Sequence, residues 1–144
     1  MPYTYDYPMF SYCVDAVLFA KYNSDHLVLL IQRKNDPFKD CWAFPGGFVD
    51  QLEVADQAVY RELKEETGIA IDGLARLDVF DKVGRDPRGR TVSVVYTKVL
   101  DAPVAATGLD DAADARWFNI KELPALAFDH SEIMNRALVF NGLQ

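Results

Sequence analysis

Cysteine is scarce, a basic excess is missing, and no long apolar run occurs, and each absence closes off a class of protein. Cys13 and Cys41 are the only two cysteines. With no ligand spacing between them they suit neither a disulfide-stapled scaffold nor a thiolate metal site, and they read as reduced structural residues. Acids outnumber bases by 22 to 15, giving a formal net charge of −7. A nucleic-acid surface would carry a basic footprint instead. An acidic chain can still take a nucleotide, because a bound metal ion reverses the local field. No stretch approaches the roughly 20 apolar residues of a membrane-spanning helix. The start, Met1-Pro2-Tyr3-Thr4-Tyr5-Asp6, lacks the basic region and apolar core of a signal peptide. The expectation is a cytoplasmic protein with neither a nucleic-acid nor a membrane partner. Repeats, low-complexity tracts and linkers are missing too, so a single domain over residues 1–144 is expected.

What is present is a mixed pattern of strands and helices. Residues 12–20 and 26–32 are β-branched and apolar, separated by the turn-prone Asn23-Ser24-Asp25. A short strand at 41–44 delivers a Pro45-Gly46-Gly47 turn, and a helix follows over 54–67. Two strands at 74–82 and 91–100 flank a loop from Gly84 to Arg90, and a further strand at 114–119 carries Trp117. One helical turn at 121–123 is stopped by Pro124, and a closing helix over 131–140 has Ser131 near its cap. The aromatic extension over 1–11 and just beyond (Tyr3, Tyr5, Tyr7, Phe10, Tyr12) alternates like a strand. It is expected to add to the sheet, packing in the core or against this chain itself, with a homodimer contact as the alternative. Trp42 is expected in the core, while Phe44 and Phe48 stay open between core and stacking on a base.

The most informative stretch is the end of the first helix. Glu62, Glu65 and Glu66 stand at i, i+3 and i+4, in the last turn before a helix-ending Gly68. Like charges one turn apart, at the negative end of the helix dipole, cost about a few tenths of a kcal/mol each. At roughly 100° per residue they align with Ala55, Ala58 and Val59, the small apolar side, while Gln57, Tyr60 and Lys64 point away. Acids on an inward stripe require a cation. Hard divalent ions such as Mg2+ take oxygen ligands and complete their shells with water and phosphate oxygens.

The spacing Gly47-x5-Glu53-x7-Arg61-Glu62-Leu63-x-Glu65-Glu66-x-Gly68-Ile69 resembles the Nudix box, the signature of the Nudix hydrolases, with every specified position filled. The resemblance implies an α/β/α sandwich around a central mixed β-sheet and metal-dependent hydrolysis of a diphosphate. It implies Glu62 and Glu66 as metal ligands, Glu65 as a third ligand or a partner in water activation, and the main-chain carbonyl of Gly46 as a further ligand. Arg61 would hold the box together, and Glu53 would orient the loop or reach the metal through water. Mg2+ is the expected ion and Mn2+ the alternative.

Three further stretches resemble one branch of that family, containing ADP-ribose pyrophosphatases and Nudix domains of NAD metabolism. They are Pro45 to Asp50, Arg85-Asp86-Pro87-Arg88 with Val92 to Tyr96, and Leu126 to His130. The branch implies hydrolysis of a nucleoside diphosphate linked to another moiety, foremost ADP-ribose to AMP and ribose 5-phosphate. Arg85, Arg88, Phe48 and Asp111 are its implied substrate residues. By residue type alone Arg85 and Arg88 read more readily as a solvated pair on a Pro-Gly turn, and the branch resemblance brings the phosphate- or ribose-binding reading level with it; Asp111 reads as a solvated loop acid. His130 reads as a packed or capping residue. Two alternatives remain: pyrophosphohydrolysis of oxidised or non-standard nucleoside triphosphates, and a non-catalytic ADP-ribose sensor. The intact box acids weigh against the sensor, as does a chain end at Gln144 that leaves no room for a winged helix.

Overall fold

The computed structural model describes residues 2–144, so Met1 of the aromatic extension lies outside the described residues. The elements are β1 (Ser11–Tyr22), β2 (Asp25–Arg33), β3 (Trp42–Ala43), β4 (Gly46–Phe48), α1 (Ala55–Thr67), β5 (Ala75–Phe80), β6 (Thr91–Leu100), β7 (Ala112–Asn119) and α2 (His130–Phe140). They build one mixed sheet with a helix on each face, as the family resemblance implied. The period-2 alternation of β1 shows how. Val14, Ala16 and Leu18 pack with Ala55, Ala58, Val59 and Leu63 of α1. Val17 and Phe19, pointing the other way, pack with Ile133, Met134 and Ala137 of α2. A strand buried on both faces must be apolar at nearly every position, and the buried stretch of β1, residues 14–20, is, except at Asp15.

The sheet opens beside that exception. β1 pairs with β6 in parallel along its length, from Ser11↔Thr91 to Ala20↔Leu100. On its other edge β1 pairs with β2 over Phe19–Tyr22 and with β4 over Cys13–Asp15. Meanwhile β2 takes β3 at Ile31↔Ala43 and Gln32↔Trp42. β1 and β2 therefore splay, and the segment β3–Phe44–Pro45–β4 crosses the gap between them. This corrects the expected Pro-Gly-Gly turn: the glycines form strand β4, because the unpaired edge of β1 offers them a ladder.

α1 begins at Val54, whose N–H is capped by the Gln57 side chain at 3.2 Å, since valine has no oxygen of its own to offer. It ends at Gly68, φ 77°, whose N–H donates to the Lys64 carbonyl, in the left-handed conformation that favours glycine. Three other expectations fail. Residues 121–123 form a turn and not a helix: Glu122 N–H bonds the Asn119 carbonyl, and Pro124 has no N–H with which to continue. α2 starts at His130 with Asp129 at its cap position, one residue before the expected start. The aromatic extension stays out of the core and packs only on the surface of its own chain: Tyr3, Tyr5, Tyr7, Phe10 and Tyr12 are all exposed, Tyr3 stacks on Tyr5, Arg90 lies over the Phe10 ring, and the strand begins only at Ser11, where β6 provides a partner. Among the described residues no helix is long and apolar enough to cross a membrane.

Candidate functional site

Where β1 and β2 part, a cavity of about 430 Å³ opens, lined from α1 by Glu62 and Glu66, from β1 by Cys13 and Asp15, and from β4 by Gly46 to Phe48. Its opposite wall comes from Arg33, the Arg85–Arg88 loop and Phe128. The two glycines are there because helix α1 lies directly on β4. A Cβ on Gly47 would sit 2.6 Å from the Glu62 carboxyl, and one on Gly46 would sit 2.1 Å from the Val14 carbonyl oxygen and 2.3 Å from Asp15 Oδ1. At Gly46 the clash is with strand backbone and excludes any side chain, while at Gly47 a side chain would push the Glu62 carboxyl out of its place.

Three box glutamates end in three different environments. Glu66 is buried at the centre of the inward stripe and accepts one hydrogen bond, from Gly46 N–H at 2.7 Å. Burial pushes its carboxyl up to about 8, and the nearby Glu62 and Asp15 add to this. Glu62 is half-buried at the cavity wall; burial raises it too, opposed by a 2.9 Å bond from Arg61. Glu65 is exposed, and Arg61 holds it at 3.1 Å. The expected alignment of all three is corrected by helix geometry: Glu65 precedes Glu66 by one step of about 100°, which rolls it to the rim, and Leu63 takes the inner position.

Arg61 ties this corner together. Its guanidinium bonds both Glu53 oxygens, Glu62, Glu65 and the Phe48 carbonyl. Glu53 also accepts from Asp50 N–H at 2.9 Å. Both residues brace the loop between β4 and α1, and neither lines the cavity.

On the opposite wall, Arg85 departs from the expected solvated pair. Its side chain is 4% exposed and is gripped by Asp129 through two 2.8 Å bonds, with a third to Ser93. Its charge is cancelled by the residue that starts α2, so it pins the loop to the helix. Arg88 is half-exposed and held by the buried Asp86 at 2.8 Å, 5.9 Å from the Phe48 ring and 5.5 Å from the Phe128 ring. Phe48 faces the cavity, partly exposed, while Phe44 is core; Trp42 packs edge-on against Phe118 at 4.8 Å. Asp111 reaches the cavity mouth. His130 is the packed residue expected: its Nδ1 accepts from Phe44 N–H at 3.1 Å, and burial pushes it down to about 3 and so keeps it neutral. The two cysteines are free, and burial pushes Cys13 up to about 12, an inert thiol.

Sequence reasoning missed Asp15, Arg33, Asp86, Phe128 and Asp129. Asp15 had a signal: one acid inside a strand otherwise apolar on both faces. It is buried, 4.0 Å from neutral His130, and burial pushes it up to about 8. Arg33, Phe128 and Asp129 join the site only through contacts distant in sequence, whereas Asp86 stands two residues from the Arg88 it holds.

These residues fit a hard divalent cation in one respect and fall short in another. Two oxygen-donor carboxylates, Glu62 and Glu66, face one cavity with no protein cation to balance Glu66, which suits such an ion. Yet among the described residues no group of three or more His, Cys, Asp or Glu is gathered closely enough to hold one. Glu65 does not join the cavity, so water and phosphate oxygens would have to complete the shell.

Comparison with known proteins places the chain in a family. The sequence model of the NUDIX domain matches residues 12–137. The ADP-ribose pyrophosphatase of Methanocaldococcus jannaschii is 46% identical over 110 residues, covering 76% of this chain and 64% of that protein. The ADPR responsive transcriptional repressor NtrR of Acinetobacter baylyi is 33% identical, covering 92% of this chain and 54% of the repressor. The NUDIX domain of Shewanella oneidensis NrtR, solved in complex with ADP ribose, superposes with a TM-score of 0.88 at 32% identity, over 94% of this chain and 90% of that one. The chain thus spans less than two thirds of the length of both curated relatives.

Proposed function

Since this chain belongs to the Nudix family, matching its domain over residues 12–137, we propose that it is a metal-dependent pyrophosphohydrolase acting on ADP-ribose. The observation that carries this reading is the buried Glu66 beside Glu62, two carboxylates at one cavity wall with no cation against Glu66 among the described residues. The likeness to an ADP-ribose pyrophosphatase at 46% identity supports the choice of substrate.

Glu62 and Glu66 would hold Mg2+, with Mn2+ as a substitute, and waters and substrate oxygens would fill the remaining positions. When bound, the ion supplies charge neutralisation for the diphosphate and activation of a water. The chain's own residues do the placing. Gly46 N–H fixes one Glu66 oxygen, leaving the other free. Arg61 orients Glu62 and, through Glu53 and the Phe48 carbonyl, sets the cavity's edge. Glu65 serves through Arg61, at the rim. Phe48, Arg88 and Asp111 border the space where the nucleoside and the second moiety would lie. Attack of water on a phosphorus of the diphosphate then yields AMP and ribose 5-phosphate.

Product analysis tests this on ADP-ribose, NADH, diadenosine polyphosphates, sugar nucleotides and oxidised dNTPs, with and without Mg2+. AMP and ribose 5-phosphate formed fastest from ADP-ribose, and only with metal, are expected. Pyrophosphate released from a triphosphate would move the protein to the alternative substrate class. A second reading, ADP-ribose binding without turnover, is favoured by the likeness to the repressor and to the ADP ribose-bound domain; binding with no product from any substrate would establish it.

A further inference from the structure

Asp15 meets both walls of the cavity yet forms an ion pair with neither. It is the one charged side chain in the buried stretch of β1, and only 8% of it is exposed. Among the described residues its one neighbour in ion-pair range is His130, at 4.0 Å, and burial keeps that ring neutral. A buried acid without a cation costs stability. Packing alone therefore does not account for an aspartate at this point of the strand.

Its contacts do. Side chains alternate along β1, and Asp15 shares the α2 face with Val17 and Phe19. There the Ser93 hydroxyl accepts from Arg85 Nη1 at 2.8 Å, which leaves its own hydrogen to donate to Asp15. His130 Nδ1 accepts from Phe44 N–H at 3.1 Å. The neutral ring therefore carries its proton on Nε2, and Nε2 is the atom turned toward Asp15 Oδ2. On the third side stands Gly46, the ladder partner of Asp15. Asp15 Oδ1 fills the place of the missing side chain, 2.3 Å from where a Gly46 Cβ would sit. That same Gly46 gives its N–H to Glu66 at 2.7 Å. The contacts form one series: Arg85 holds Ser93, Ser93 and His130 hold Asp15, Asp15 backs Gly46, and Gly46 holds Glu66.

We propose that Asp15 is a positioning residue: braced by Ser93 and His130, it fixes the Gly46 backbone and through it Glu66, and so sets the affinity of this wall for a divalent cation. The effect on the ion rests on the reading of Glu62 and Glu66 as its ligands; the effect on Gly46 does not. Residues that orient a metal ligand from behind are worth about 10- to 100-fold in metal affinity.

The test compares wild type, Asp15→Ser and Asp15→Asn, with circular dichroism confirming the fold of each. Serine withdraws the contact with Gly46; asparagine keeps the shape and one acceptor oxygen, and serves alone should the serine variant misfold. Two quantities are read: hydrogen exchange of the Gly46 amide in metal-free protein, with the β7 amides as reference, and Mg2+ affinity by calorimetry. Asp15→Ser should speed exchange at Gly46 about tenfold and leave β7 unmoved, and should weaken Mg2+ binding by about 10- to 100-fold. Asp15→Asn should show smaller changes in both, with a metal-free melting temperature that holds or rises, whereas loss of a plain structural support would lower it. Unchanged exchange at Gly46 in the folded variants, or unchanged Mg2+ affinity beside a wild type that binds the ion, would overturn the proposal and leave the functional reading standing. Exchange that speeds equally at Gly46 and in β7 would overturn it too, as general loosening. Faster exchange confined to Gly46, in a protein whose wild type binds no Mg2+, would support the brace and sink the functional reading.

Discussion

Beside β4, Glu66 and Asp15 are buried with no cation in salt-bridge range among the described residues, and burial pushes both up to about 8. Across the cavity Arg85 is buried as deeply, yet Asp129 grips it twice at 2.8 Å. One wall carries acids that the protein leaves unpaired, whose ionisation it opposes; the other carries charge that it has balanced itself. An uncompensated buried charge is costly, so such groups mark where a ligand completes the structure, while compensated ones mark scaffold.

Four substitutions probe that contrast. The largest effect belongs to Glu66→Gln, which keeps the shape and removes the charge. Turnover should fall by about a thousandfold, the several kcal/mol that a catalytic ion supplies at about 1.4 kcal/mol per tenfold. The melting temperature should hold or rise, because a costly buried acid has gone. Next is Asp129→Ala, which strands Arg85 in the interior and should cost about 3–5 kcal/mol of stability, read from urea unfolding. If that loss is within a few tenths of a kcal/mol, the scaffold reading of this wall fails.

A smaller effect is expected at acid pH. Burial holds His130 at about 3 against an ordinary 6.5, so below pH 6.5 the unfolded chain takes up the proton more readily. Its contribution to stability is full above pH 6.5 and drains away as pH falls toward 3. Melting curves of wild type and His130→Asn over that window should show the variant losing less; parallel curves would contradict the neutral, buried assignment. The smallest effect is Glu65→Gln, at the rim and in contact only with Arg61: a loss of about tenfold or less in kcat.

The sequence was most readable where local rules govern. The bounds of β6 coincide with those expected, Gly68 ends α1 in the left-handed region, and Glu66 sits at the heart of the inward stripe. It was least readable where partners are distant in the chain. The Gly46-Gly47 pair looks like a turn until the free edge of β1 is known, and Arg85 looks solvated until Asp129, 44 residues on, is brought against it. The exposed Tyr3 to Phe10 segment has strand-like alternation but no neighbouring strand to pair with, which no local pattern reveals.

The most direct test is the change in melting temperature on adding Mg2+ to wild type, Glu66→Gln and Glu65→Gln. An ion that binds only the folded state stabilises it by mass action. Mg2+ should raise the melting temperature of wild type and of Glu65→Gln, and leave Glu66→Gln unmoved. Equal shifts in all three proteins, or a shift lost with Glu65→Gln and kept with Glu66→Gln, would contradict the assignment of the cation to the buried wall.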